Sequence, residues 1–308
     1  MIVPRPNQFL AVLLHWHGSA LAAIGPALVG VAVVAFVLPL VNGQWSLEAI
    51  DLTPTPFTLL GLPLSIFLGF RNNACYDRWW EARKLWGALV NTSRSLARQA
   101  RHVLRGQDEA TARLRRELTL GVVAFAHALR LHLRQQDRWD ELAPFLTEGE
   151  LARVKACRNR PQGVVDLLSA RLRQAVDSGA LDPLHLPLLD QQLVALTDIQ
   201  GACERIKNTP VPVTYSELTH HIVGLYVLFL PFGLFHTLGA MTPVVTVIVA
   251  YCFLGLDAVG SQIENPFEED PNDLPLAQLA RLIENDLRSM MGDGDLRPDI
   301  TAHRGILL

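Results

Sequence analysis

His15-x-His17 and His220-His221 place imidazoles close together, an arrangement that invites a metal ion. Neither pair has the i,i+4 spacing that sets two ligands on one helix face, and no acidic residue is interleaved as in H-E-x-x-H. Interfacial or hydrogen-bonded histidines are the plainer reading. The carboxylates Glu268, Glu269, Asp270 and Asp273 approach the density that calcium requires for its roughly six to eight oxygens. Pro271 and Asn272 interrupt them and no EF-hand pattern surrounds them, so the run reads as a solvated turn with a helix cap. Glu269, Asp270 and Asp273 are its residual metal candidates. No Ser/His/Asp or Cys/His set stands out by pattern, and there is no glycine-rich phosphate loop. Cys75, Cys157, Cys203 and Cys252 lie far apart with no C-x-x-C pair, which predicts reduced, buried thiols. No catalytic residue and no cofactor is expected.

A different chemistry, control of water and ions by apolar side chains, is written into residues 57–80. Leu62, Ile66 and Phe70 stand four residues apart and share one helix face. Gly61, Ser65 and Gly69 keep the same spacing one position earlier, and small residues so placed let helices pack closely. A helix with these two faces side by side suits the wall of a narrow hydrophobic constriction, which gates by dewetting. Ordinary packing in a helix bundle fits the spacing as well. Pro63 removes one backbone donor and is a site for a bend.

The elements that must carry these faces are membrane helices. Half of the 308 residues are apolar and 19% are charged, too greasy for an average soluble protein and too charged for membrane throughout. Residues 21–41, 222–235 and 238–259 are long enough, or nearly so, to span a bilayer at about 20 residues each. Residues 57–70 are shorter, and need burial among neighbours or along a water-filled pore. That run passes without a turn signal into polar sequence, so one long helix should leave the bilayer and continue into water, with Trp79 and Trp80 near the interface. The loop 42–56 has no Lys or Arg, whereas Arg71, Arg78, Arg83 and Lys84 follow the second run, and Arg205 and Lys207 precede the third. The positive-inside rule puts both termini and the middle region in the cytoplasm. From residue 71 to 207 there are 22 Lys/Arg against 16 Asp/Glu, with no block of one sign, so nucleic-acid binding is not expected. Asp77, Arg78, Glu81 and Arg83 form either an ion-pair network or an attractive pore mouth.

The middle region reads as helix. Leu85, Leu89, Leu96 and Val103 recur at helical spacing, as do Leu114, Leu118, Val122 and Phe125, while Pro144, Pro161, Pro183 and Pro187 punctuate the segment. The last helix is expected to start from Asp273 as its cap, with Leu276, Leu279, Ile283 and Leu287 as its buried stripe. The resulting division is 1–70 with two membrane helices, 71–212 helical and cytosolic, 213–259 with two more membrane helices, and 260–308 an acidic cytosolic end.

Phe67-Leu-Gly-Phe-Arg-Asn-Asn-Ala-Cys-Tyr-Asp-Arg-Trp-Trp80, Arg205-Ile-Lys-Asn-Thr-Pro-Val-Pro212 and Ile263-Glu-Asn-Pro-Phe-Glu-Glu-Asp270 follow one another around four apolar runs. Together they make nearly the whole chain resemble the bestrophin family, in its bacterial branch. The resemblance implies an all-α homopentameric channel for small monovalent ions in the bacterial inner membrane, with four transmembrane helices per subunit and a helical cytosolic domain around one central pore. Matching the motif implies a pore neck at Leu62, Ile66 and Phe70, and a cytosolic aperture at Leu184 after Asp182-Pro183. Animal members are similar in placing calcium at an almost unbroken acidic run, which Pro271 and Asn272 break here. Leu62 and Leu184 stand where other members commonly carry isoleucine. Animal members conduct chloride and bacterial relatives can favour cations, so the family leaves the sign of the ion open. The rival readings are a histidine-dependent membrane metalloenzyme and a non-conducting membrane scaffold.

Overall fold

The computed structural model describes residues 20–45, 53–302 and 307. His15 and His17 lie outside them. All regular structure among the described residues is helical: α1 (Ala20–Trp45), α2 (Pro54–Val103), α3 (Glu109–Leu133), α4 (Glu148–Ala156), α5 (Arg160–Asp177), α6 (Leu186–Asn208), α7 (Val213–Leu238), α8 (Thr242–Ile263) and α9 (Leu276–Met290), with short 3-10 turns between some of them. The apolar run and the polar motif after it are one helix, α2, of 50 residues, with Pro63 inside. The chain divides into two compact units, residues 2–79 with 210–265 and residues 80–209 with 266–308.

The first unit contains α1, the first half of α2, α7 and α8. Residues 21–38 and 213–263 are long and apolar enough to cross a membrane. Its core is a seam of Ile24, Val31, Leu64, Leu68, Val223, Val227, Ala250 and Leu254. Outside that seam, large apolar side chains such as Val33, Phe36, Leu60, Leu225, Phe229 and Ile248 are bare. A water-soluble unit would hide such residues, whereas lipid tails or another copy of the chain cover them without penalty. Cys252 is among the exposed residues and Cys157 is only partly covered, so burial holds for Cys75 and Cys203 alone.

The second unit is built around α3. Asp108 caps that helix by accepting a hydrogen bond from Thr111 N. Every residue from Gly121 to Leu131 is buried, as expected for a helix surrounded by others. Leu168 of α5 and Ile283 and Leu287 of α9 are part of the same unit's core. Thr147 and Glu150 form a reciprocal capping box at α4, and Pro161 and Pro187 sit in the first turns of α5 and α6, where a missing N–H is harmless. Leu276, Leu279, Ile283 and Leu287 of α9 are buried. The start of α9 differs from the sequence expectation. Pro275, not Asp273, precedes the first helical residue, because proline restrains Leu274 from the helical region. Asp273 instead closes the turn before it, its Oδ2 accepting from Asp270 N at 2.7 Å.

Candidate functional site

Phe57, Leu64, Leu68, Arg71 and Cys75 are the buried residues of α2 in the first unit, spaced seven, four, three and four apart. Such alternation keeps one narrow stripe against the neighbouring helices. Leu62 and Ile66 lie two residues before Leu64 and Leu68, a rotation of about 200° around the axis. The two therefore point away from the seam, and Leu62, Ile66 and Phe70 are 68%, 50% and 63% exposed. A row of three large apolar side chains, each half or more exposed, is available to line a passage.

The small residues beside this row are not equivalent. A Cβ on Gly61 would stand 2.9 Å from the Tyr226 hydroxyl, so Gly61 admits the ring of α7. Tyr226 in turn packs against Phe57 and Phe253, with ring centroids 6.1 and 4.9 Å away. Ser65 Oγ donates to Gly61 O at 2.7 Å and so needs no partner in an apolar setting. Around Gly69 there is open space. Thus Gly61 serves packing within the chain, and Gly69 is left to whatever covers α2 from outside.

Leu184 belongs to the 3-10 turn Pro183–His185. Asp182 Oδ1 accepts from Leu184 N at 3.0 Å and its Oδ2 pairs with Arg105, which fixes the turn. The Leu184 side chain is 84% exposed. Local hydrogen bonds hold the backbone while an apolar tip projects outward.

The acidic run 268–273 is organised by protein cations. Arg134 is almost fully buried and donates to the carbonyls of Phe267, Glu268 and Leu274 and to Glu269 Oε1. Lys207 Nζ meets Glu268 Oε1 at 2.5 Å. With a guanidinium among these acceptors, the donor set does not fit a calcium ion. Burial lifts the carboxyl of Asp273 to about 7 and leaves its Oδ1 without a partner. The unfolded chain ionises there near the ordinary value while the folded chain still holds its proton, so this group's contribution to stability falls as pH rises from about 4 to about 7. Asp273→Asn keeps an acceptor for Asp270 N and cannot ionise. It is expected to remove that slope and to gain on the order of 1–3 kcal/mol above pH 8. Unfolding curves of variant and wild type that stay parallel from pH 4 to 8 would contradict this.

Sequence reasoning missed a charged knot in the first unit. Arg71 of α2 and Asp257 of α8 are both buried and pair at 2.6 Å. Arg71 Nη2 also donates to Ser261 Oγ at 2.7 Å and lies 3.5 Å from Glu264. His220 Nδ1 is 2.6 Å from Asp257 Oδ2, so one member of the His-His pair is a hydrogen-bond partner of a carboxylate. Asn72 donates to Leu256 O, and Gly260 lets the Asn72 side chain approach α8 closely. The sequence signal was present in two parts: Asp257 interrupts an apolar helix and Arg71 ends the apolar run of another, and ionisable residues in such places seldom go unpaired.

The family described as Bacterial/Fungal Bestrophin protein matches residues 1–289. A voltage-dependent anion channel-forming protein of Ralstonia nicotianae is 39% identical over 307 residues, covering 99% of this chain and 100% of the relative. The protein of that description from Escherichia coli K12 is 36% identical, covering 99% and 98%. A crystal structure of a bacterial bestrophin homologue from Klebsiella pneumoniae superposes with a TM-score of 0.84 at 34% identity, covering 88% of this chain and 100% of that one. Similarity of this extent runs through both compact units and through all three motifs, and the chain belongs to the bestrophin family.

Proposed function

We propose that five copies of this chain form a channel that passes small monovalent ions passively, through a neck of Leu62, Ile66 and Phe70 and an aperture of Leu184. The family and the names of the relatives make it a membrane channel protein rather than an enzyme. In this reading residues 1–70 and 213–259 supply four membrane helices, residues 71–212 and 260–308 lie in the cytosol with both termini, and the membrane is the bacterial inner membrane. The observation that carries the proposal is the bare apolar row on α2, turned away from the seam that holds the helix in its own subunit. Lipid would cover such a row, but a symmetry axis gives it a use, since stacked rings of carbon exclude water and strip ions of hydration.

The neck has no charge with which to select a sign, and the anion-channel names of the relatives favour anions. Reversal potentials of purified protein in a planar bilayer under a salt gradient test both points. A shift of either sign supports the channel and names the ion, and absence of current refutes it. Arg134 at the centre of the acidic turn argues against a calcium trigger, so micromolar calcium is expected to leave the current unchanged.

Leu184→Ala is expected to change permeability for large relative to small ions, with less than about 1 kcal/mol of stability lost, because the side chain leaves no cavity behind. Unchanged permeability ratios together with a clear fall in melting temperature would assign Leu184 to packing.

A further inference from the structure

We infer that His220 and Asp257 form a proton-binding site that fastens α2 to α7 and α8, so that acidification holds α2 in place and lowers the channel's open probability. The inference rests on the channel reading only for its electrical consequence.

Asp257 is buried between Arg71 at 2.6 Å and His220 at 2.6 Å, and Arg71 is shared with Glu264 at 3.5 Å. Arg78 of α2 adds a donor to the Glu264 backbone carbonyl at 3.3 Å, so two guanidinium groups stand against two carboxylates, and Ser216 of α7 donates to the Glu264 side chain. Glu217 and His221 of α7 are exposed. With His220 neutral, Asp257 accepts its N–H. A second proton on His220 turns that hydrogen bond into a charge-assisted one, which is stronger by roughly a factor of two.

Asp257 is buried, yet the His220 side chain is 71% exposed within its own subunit. One ring nitrogen holds the carboxylate while the other is left uncovered by the subunit's own packing. Histidine is the side chain whose ordinary titration falls inside the physiological range. The residues joined come from three helices, and one of them, α2, carries the neck one residue before Arg71, at Phe70. A proton gained at His220 therefore strengthens the hold on the neck helix from the side opposite the neck itself.

The test compares wild type, His220→Gln and His220→Lys in two measurements. Single-channel open probability between pH 5 and 8 should fall on acidification by about fivefold in wild type, a coupling of ordinary size. His220→Gln, which cannot take up a proton, should lose that dependence, and His220→Lys should hold the low open probability at every pH. In detergent, the melting temperature of wild type should rise relative to His220→Gln as pH falls from 8 to 5.5, and His220→Lys should remain high throughout. The melting measurement stands even if no current is found, so failure of the channel reading and failure of the proton site are separable. Wild-type pH dependence retained in His220→Gln, in either measurement, overturns the inference. Should His220→Gln not fold, a pH-independent His220→Lys supports the site and a pH-dependent one refutes it.

Discussion

Replacing Leu62, Ile66 and Phe70 together with alanine is expected to raise open probability while the assembled channel stays intact. The three side chains are 50–68% exposed, so the subunit loses almost no internal packing when they are cut back. Were they core residues, each truncation would cost roughly 2–5 kcal/mol and assembly would suffer. In the proposed pentamer the wild-type rings keep the passage dry, and a permeating ion gives up hydration without gaining ligands from carbon. Alanine rings would leave space for water and lower that barrier. The open space at Gly69, next to the row, gives the helix room to shift against its surroundings, whereas Gly61 is occupied by Tyr226 and anchors it. Single-channel recording and size-exclusion chromatography on one preparation distinguish the outcomes. An intact oligomer whose gating is unchanged would remove these residues from the gate, and a dissociated one would assign them to subunit packing.

Features carried by local spacing were legible in the sequence, and features made by distant pairs were not. The unbroken passage from apolar to polar sequence predicted one helix, and α2 runs from Pro54 to Val103. Four-residue spacing put Leu62, Ile66 and Phe70 on one face, although spacing alone could not tell a face turned toward a bundle from one turned away. That distinction came from Leu64 and Leu68, which the apolar run hides among equally apolar neighbours. Arg71 and Asp257 are 186 residues apart, and the sequence offers Arg71 a sufficient role elsewhere, as a topology signal, while nothing local marks Asp257 as its partner. In the sequence His220 stands out only as half of a His-His pair, because its carboxylate partner lies on another helix. Asp273 had the residue type of a cap, but proline at 275 moved the helix start beyond its reach and burial claimed the carboxylate instead.

Glu284 is the clearest case of a residue that pattern reading passes over, and its removal is expected to be strongly destabilising in the second unit. It follows Ile283 in the apolar stripe of α9 and is fully buried. His127 Nε2 lies 3.1 Å from one oxygen, and Arg281, Arg297 and Arg288 approach to 3.3, 3.3 and 3.7 Å. Burial alone would raise this carboxyl, yet the His127 hydrogen bond and the guanidinium groups outweigh it and hold the group below its ordinary value. Burial in turn keeps His127 below its own ordinary value, so the ring is neutral near pH 7 and donates to the carboxylate. Both shifts have the same consequence. The unfolded chain binds protons before the folded one as pH falls, first at His127 and then at Glu284, so this cluster loses stability toward acid. The same carboxylate also secures the end of the chain. Arg297 reaches Glu284, Arg281 donates to Pro298 O, and Asn285 donates to Arg297 O and to Asp299. Glu284→Ala leaves three guanidinium groups around a void and should cost about 3–5 kcal/mol, the range for breaking a buried ion pair from one side. Glu284→Gln, which keeps the shape and one acceptor oxygen for His127 while losing the charge, should recover part of that loss. Denaturant unfolding gives the free energies, and limited proteolysis reads the tail, which should be cut faster in Glu284→Ala while the rest of the unit remains folded. If both variants unfold like wild type, the guanidinium groups are sufficiently solvated without the carboxylate, and the cluster does not hold α9 and the tail together.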